Sequence, residues 1–278
     1  MEVEEEFSQI TDLIKKGDYD LARMRTYSLA DSHRGEASVG IRCASVMKVI
    51  GDDIGTEEVL SDILENLPDD VHERFETLFA IGMLGMPEEA LAGMDRMDMS
   101  KDRPEQYGRM LFMSGRHEDA ISALSGSVTR DSRILRAEAL CALGRYDEAV
   151  SESAALAEED DSYDATISYC SSLIFAGRDK EAVRFAKSRL KDDKRNVDSL
   201  AVMAYVMRLE GKLPAAVNYG NRALKADPIH IGALETMAMC LVEKGDAVHA
   251  KLFAGTINHR SPGHPAAIRI LDACNSIS

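Results

Sequence analysis

The stretch that decides the fold is Val197–Pro228, which reads VDSLAVMAYVMRLEGKLPAAVNYGNRALKADP. Its first half has apolar residues spaced for one face of a helix, at Leu200, Met203, Ala204 and Met207. A break follows at 209–214. A second apolar stripe then begins, at Ala216, Val217, Gly220, Ala223 and Leu224. Because proline disfavours helix at the residue before it, the second helix should end near Asp227. The stretch therefore predicts two helices joined by a tight turn.

The turn glycine of this stretch, Gly211, belongs to a grid that runs through the whole chain. Its members are Gly17, Gly51, Gly85, Gly115, Gly144, Gly177, Gly211 and Gly245, with successive gaps of 34, 34, 30, 29, 33, 34 and 34 residues. An apolar residue stands four positions before each glycine. Alanine stands five positions after each one, except that Thr56 follows Gly51. A repeat of this length predicts a stack of helix pairs.

This pattern resembles the tetratricopeptide repeat, most clearly at Gly144–Val150 (GRYDEAV) and Gly17–Ala22 (GDYDLA). The resemblance implies an all-α, right-handed superhelical solenoid of antiparallel helix pairs. About eight repeats would form one continuous domain over residues 3–264. Tryptophan, usual at the head of the family's first helix, is absent here. The two short units predict trimmed linkers or helices, and we expect the superhelix to be irregular between residues 50 and 130. In the second unit, Thr56 is the expected N-cap of the second helix.

The tail, residues 265–278, predicts a single capping helix. Ile268 and Leu271 continue the apolar stripe of a first helix. Asp272 occupies a position that is small in most of the units. Since no second helix follows to cover it, we expect a polar outer face that ends the solenoid.

Charge is distributed unevenly along the chain, which has a net charge of −15. Residues 1–100 have 23 acidic and 9 basic residues, whereas residues 101–278 have 25 and 24. The resulting negative electrostatic field disfavours binding to nucleic acid and favours a basic protein partner. The alternative is a solvated surface that keeps a long solenoid soluble. A basic segment at 178–195, with eight bases and four acids, suggests head-to-tail self-association with the acidic end.

Membrane and export signals are missing from the sequence. No apolar run approaches the roughly 20 residues of a membrane-spanning helix, and the start, MEVEEE, is acidic where a signal peptide would be basic. We therefore expect a cytoplasmic protein with no membrane association. The five cysteines are far apart and form no Cys-x-x-Cys pair, which favours free, structural thiols.

No catalytic or phosphate-binding motif is present, and the histidines have no recognisable metal spacing. The repeats also occupy essentially the whole chain. The sequence therefore predicts a protein that is not an enzyme and that has no cofactor, metal site or catalytic residues.

By analogy with the family, first helices line the concave face, and their side chains outside the apolar stripe should form a peptide-binding groove. These residues mix aromatic, aliphatic and charged types, as suits an amphipathic helix or an extended peptide. The predicted groove residues are Arg42, Phe75, Phe79, Arg109, Phe112, Ile134, Glu138, Ile167, Phe175 and Tyr205. The alternative for Phe75, Phe79 and Phe112 is that they fill the core.

Three functions fit these observations. The first is an adaptor or scaffold that binds a peptide or helix of a partner protein in its groove. The second is a structural protein that self-associates, and the third is an assembly chaperone for a larger complex. The sequence does not identify the partner.

Overall fold

A computed structural model describes residues 2–97, 102–260 and 264–277. Within these ranges the chain folds into seventeen α-helices in tandem and contains no strand. The helices are α1 Glu2–Lys16, α2 Tyr19–Ser32, α3 Ala37–Ile50, α4 Asp53–Glu65, α5 Val71–Met83, α6 Pro87–Met94, α7 Pro104–Met113, α8 His117–Leu124, α9 Arg130–Ala142, α10 Tyr146–Glu159, α11 Tyr163–Phe175, α12 Asp179–Asp192, α13 Val197–Leu209, α14 Leu213–Ala226, α15 Ile231–Val242, α16 Ala247–Arg260 and α17 Pro265–Asn275. The predicted all-α solenoid of about eight tetratricopeptide-like repeats is confirmed.

The glycine grid marks the turn within each helix pair. All eight grid glycines have positive φ, from 71° at Gly177 and Gly211 to 128° at Gly85, a conformation that glycine adopts without steric cost. The amide of the residue after each glycine bonds to the carbonyl five positions back, as Lys212 does to Met207 at 2.8 Å. This is the Schellman arrangement that ends a helix with a left-handed residue. The repeated turn therefore has the same physical cause in every unit.

Small residues let the paired helices approach closely. The residue five positions after each glycine is at most 4% exposed in every unit, including Thr56. In the third unit the position that is small in most other units holds Leu78, and Gly93 on the facing helix α6 makes room for it. In the fourth unit the sizes are exchanged, since Gly108 on α7 faces Leu124 on α8. The two irregular units thus keep their cores filled.

The short units lose residues from their second helices. Helices α6 and α8 have eight residues each, whereas α10, α12, α14 and α16 have 14. The prediction of Thr56 as an N-cap was wrong. Helix α4 begins at Asp53, because the carboxylate of Asp52 accepts a hydrogen bond from the amide of Gly55 at 3.0 Å. The grid predicts that each unit begins about 14 positions before its glycine, and for the fourth unit this position, Lys101, lies outside the described residues.

The last helix, α17, contacts both ends of the solenoid. It packs against α15 and α16 as the first helix of a ninth unit would, and it also touches α3. Ile268 packs against the core cluster of the N-terminal half, and Asp272 forms an ion pair with Lys48 at 3.3 Å. The expectation that Asp272 simply belongs to a free polar end was therefore incomplete, because this face meets α3 and closes the superhelix on itself.

Candidate interaction surface

The odd-numbered helices form the inner layer of the curved stack. From α3 onward, each odd-numbered helix packs against the next odd-numbered one, whereas the even-numbered helices pack mainly against odd-numbered neighbours. Side chains that point away from the core on odd-numbered helices therefore face the concave side. All ten residues that the sequence predicts for a groove lie on odd-numbered helices of this layer.

One row of side chains runs along the inner layer with the period of the repeat. It lies six positions before each turn glycine, and we call it the inner row. Its members are Thr11, Ser45, Phe79, Arg109, Glu138, Ser171, Tyr205 and Met239. None of the eight is buried. One neighbouring pair is in direct contact, since the hydroxyls of Ser171 and Tyr205 are 2.7 Å apart.

Opposite charges meet in the middle of the inner row. Part of the Glu138 residue is exposed to solvent, but neighbouring protein atoms partly desolvate its carboxyl. This partial desolvation raises the pKa of the carboxyl, while the positive charges of Arg109 and Arg269 oppose the increase. Arg269 lies on α17 and donates to both carboxylate oxygens of Glu235 on α15, at 2.7 and 3.0 Å. The closing helix thus brings a further cation to the inner surface.

Arg109 and Glu138 differ from most charged residues of the chain. Across the described ranges, neither side chain makes a hydrogen bond or an ion pair, and the two interact only electrostatically. Arg109 is half-buried. Hydrogen bonds to charged groups are stronger where water is partly excluded. These two residues therefore offer a donor group and an acceptor group to a ligand.

The remaining predicted groove residues differ in how far they are exposed to solvent. Phe75 is only 1% exposed and lies in the core cluster of the N-terminal half, so its placement in the groove was wrong. Arg42 is already engaged: its guanidinium donates to Glu4 at 2.5 and 3.1 Å and covers the ring of Phe7. Arg42 therefore connects α3 to α1, and its guanidinium is already engaged within the chain.

The aromatic residues divide between the core and the surface. Phe79 and Phe112 are half-buried against the same cluster as Phe75, and Phe112 also contacts the ring of His117 at a centroid distance of 5.0 Å. Phe175, at the end of α11, is 58% exposed. It is therefore the one predicted phenylalanine that presents most of its ring to solvent.

The aliphatic residues and the tyrosine are intermediate in their burial. Ile134 and Ile167 are half-buried, and Ile167 packs against the core cluster of the C-terminal half. The pKa of the Tyr205 hydroxyl is raised, chiefly by burial, and its bond to Ser171 opposes the increase. Tyr205 thus shares the partly desolvated inner surface with Glu138.

The sequence prediction missed four members of the inner row, Thr11, Ser45, Ser171 and Met239, and it also missed Arg269. The four could have been found by counting back six positions from the turn glycines of their units. Arg269 could not, because its approach to Glu138 depends on how far the superhelix curves.

The described residues contain no group of three or more His, Cys, Asp or Glu side chains placed to hold a metal ion. Burial raises the pKa of the Cys43 and Cys170 thiols to about 12, so both are protonated near neutral pH. No described helix is both long enough and apolar enough to cross a membrane.

The raised pKa of Glu138 predicts a pH-dependent stability. A carboxyl that binds its proton more tightly in the folded state destabilises the fold once it is ionised. We therefore expect Glu138→Gln to raise the melting temperature at pH 8, with the gain disappearing below about pH 4, where the unfolded carboxyl is also protonated. Thermal unfolding followed by circular dichroism measures both values.

Glu148 provides the matched control, because the Arg145 side chain lowers its pKa. Glu148→Gln should lower the melting temperature at pH 8, the opposite sign. A loss of stability at pH 8 in Glu138→Gln would contradict the electrostatic description of the inner surface.

Comparisons with known proteins found similarity among solved structures only. No family model matches the sequence, and neither does any curated protein. Similar solved structures include a tetratricopeptide repeat protein from Parabacteroides merdae, 14% identical with a TM-score of 0.48, covering 86% of this chain and 98% of that one. Another is YrrB, described as a TPR protein with an unusual peptide-binding site, 14% identical with a TM-score of 0.34, covering 65% of this chain and 96% of that one.

A third similar structure is MamA from MSR-1, 14% identical with a TM-score of 0.32, covering 59% of this chain and 99% of that one. At these identities and scores the similarity is one of general architecture. The repeats, turns and inner layer of the chain itself define it as a tetratricopeptide-like α-solenoid.

Proposed function

We propose that this protein is a non-enzymatic adaptor or scaffold that binds a peptide or amphipathic helix of a partner protein along its concave surface. The observation that carries the proposal is the pair Arg109 and Glu138. They are adjacent in the inner row, opposite in charge, and without a hydrogen bond or ion pair in the described ranges. A partner segment with an acidic and a basic or amide group would satisfy both.

Apolar surface lies on both sides of this charged pair. Phe79 and Phe112 contribute half-buried rings on the N-terminal side, and Phe175 contributes an exposed ring on the C-terminal side. Aromatic and arginine side chains dominate the binding energy of many interfaces. A ligand with alternating apolar and charged groups fits this order of residues, and the acidity of residues 1–100 favours one that is basic overall.

The test is affinity purification from the lysate of the source cell with two matched variants. The inner variant carries Arg109→Glu and Phe175→Glu, and the outer control carries Leu252→Glu on α16, where the side chain is 64% exposed. We expect the inner variant to lose at least tenfold of the co-purified partner, which corresponds to about 1.4 kcal/mol, while the control keeps it. Circular dichroism checks that both variants are folded.

The opposite result in the two variants would place the binding surface on the outer helices. If a folded inner variant retained the partner and Leu252→Glu lost it, the outer helices would be the interaction surface and the groove proposal would be wrong.

A further inference from the structure

A stripe of positive charge runs along the outer face of α12. Lys180, Arg184, Lys187 and Lys191 are all exposed and follow one another at intervals of four, three and four residues, so they share one face of the helix. In the part of the chain that the structure describes, none of the four forms an ion pair or a hydrogen bond. We call this face the basic stripe.

Of the nearby acids, Glu181 forms no ion pair with the basic stripe in the described ranges, although the charge of Arg184 contributes to lowering the pKa of its carboxyl. The carboxylate of Glu181 instead binds Arg178, with both oxygens 2.8 Å from guanidinium nitrogens. Further exposed bases extend the positive surface toward α14. Arg222 donates to the backbone carbonyl of Lys194 at 3.1 Å, which holds these two residues side by side.

A complementary stripe lies on another outer helix, α4. Glu57, Glu58 and Glu65 are exposed and Asp62 is half-exposed, and within the described ranges none of these four forms an ion pair. They differ in this from Asp53 at the start of the helix, which binds Lys48 at 3.1 Å. We call these four carboxylates the acidic stripe.

The two stripes have the same spacing. Glu58, Asp62 and Glu65 are separated by four and three residues, as are Lys180, Arg184 and Lys187. Read in the opposite direction, the acidic set matches positions 184, 187 and 191. Charges of opposite sign can therefore be paired along about two helical turns in a parallel or an antiparallel arrangement.

We propose that the basic stripe on α12 of one molecule docks on the acidic stripe on α4 of a second copy of this chain. The stripes belong to the sixth and second repeats, and α12 and α4 are not among the helix pairs that pack against each other within the described chain. Because the contact joins two different surfaces, each molecule keeps one stripe free, and the assembly grows head to tail. Repulsion between two acidic N-terminal thirds disfavours the head-to-head alternative.

Such an interface is governed by ionic strength. Exposed ion pairs are individually weak and are screened by salt. The Debye length falls from about 30 Å at 0.01 M to about 3 Å at 1 M ionic strength. Association should therefore be strongest in dilute buffer and at high protein concentration.

The experiment is sedimentation velocity of the full chain at low and high ionic strength. We expect the weight-average mass to rise with protein concentration at low ionic strength and to return to the monomer value at high ionic strength. Two charge-reversed proteins are compared with the wild type. One carries Lys180→Glu, Arg184→Glu, Lys187→Glu and Lys191→Glu, and the other carries Glu57→Lys, Glu58→Lys, Asp62→Lys and Glu65→Lys.

Each charge-reversed protein alone should remain monomeric, because its two stripes then have the same sign. An equimolar mixture should associate again, since the reversed stripes complement each other between the two proteins. Restoration by mixing separates docking from simple misfolding, which circular dichroism also monitors. A further control, Lys244→Glu with Lys251→Glu, reverses two exposed bases outside the stripe and should leave association unchanged.

Two outcomes would overturn the proposal. One is a wild-type protein that stays monomeric at low ionic strength and high concentration. The other is a mixture of the charge-reversed proteins that fails to associate. If the wild type stayed monomeric but bound fluorescent polyglutamate through α12, the basic stripe would serve a different acidic partner and the second-copy proposal would be wrong.

Discussion

Replacing Phe75 with alanine is expected to lower the free energy of unfolding by about 3–5 kcal/mol. The ring is 1% exposed and packs within the core cluster shared by α3–α8. Its removal forfeits the burial of a large apolar side chain and leaves a cavity that neighbouring helices fill only in part. Urea denaturation monitored by circular dichroism gives the change in stability.

Phe175→Ala is the matched control, because it removes the same ring from a site that is 58% exposed. Its effect on stability should stay within about 0.5 kcal/mol. Similar losses in the two variants would mean that Phe75 and Phe175 have comparable environments, contrary to the structure. The pair also separates core from groove function, since only Phe175 should alter partner binding without altering stability.

Replacing Gly232 with alanine is expected to destabilise the protein by about 1–3 kcal/mol. Alanine favours helix by roughly 1 kcal/mol over glycine, so a stabilisation would be expected from propensity alone. Gly232 lies at the start of α15, however, where the ring and hydroxyl of Tyr163 from α11 press against its backbone. A Cβ atom at this position would overlap the ring, so the variant has to displace the Tyr163 side chain from its contact with α15.

The control is Gly255→Ala on α16, where an added Cβ meets no atom within 4 Å. This variant should be more stable than the wild type by about 0.5–1 kcal/mol. The melting temperatures of the two variants should therefore move in opposite directions. A stabilising Gly232→Ala would show that Tyr163 moves away at little cost and that the contact between the sixth and eighth units is loose.

The repeat architecture was predictable because its causes are local. Six of the eight first helices begin 14 residues before their turn glycine, such as those that start at Ala37 and Tyr163. The exceptions are the first helices of units one and four. Each turn is fixed within six residues of chain. The glycine adopts the left-handed conformation, and the amide of the residue after it bonds to the carbonyl five positions earlier. The error at Thr56 was also local, since Asp52 competes as an N-cap and starts α4 one turn earlier.

The candidate site was predictable only in part, because the same position serves different purposes in different units. Ten residues before the turn glycine, Phe75 is buried, whereas Ile134 and Ile167 are half-buried and Glu235 binds Arg269. How far each side chain is buried depends on the local curvature of the stack, which the short helices α6 and α8 change. Small rotations add up from one repeat to the next, so no sequence pattern indicates that α17 reaches α3.

The contact between α17 and α3 gives this chain a property that an open solenoid lacks. In an open stack each unit interacts only with its neighbours, so folding can start anywhere and the ends fray independently. Here Lys48 and Asp272 join segments separated by more than two hundred residues. The entropy of closing so long a loop is recovered only after the intervening repeats have formed. The two ends should therefore acquire and lose protection from amide exchange together, as a single cooperative step that completes folding.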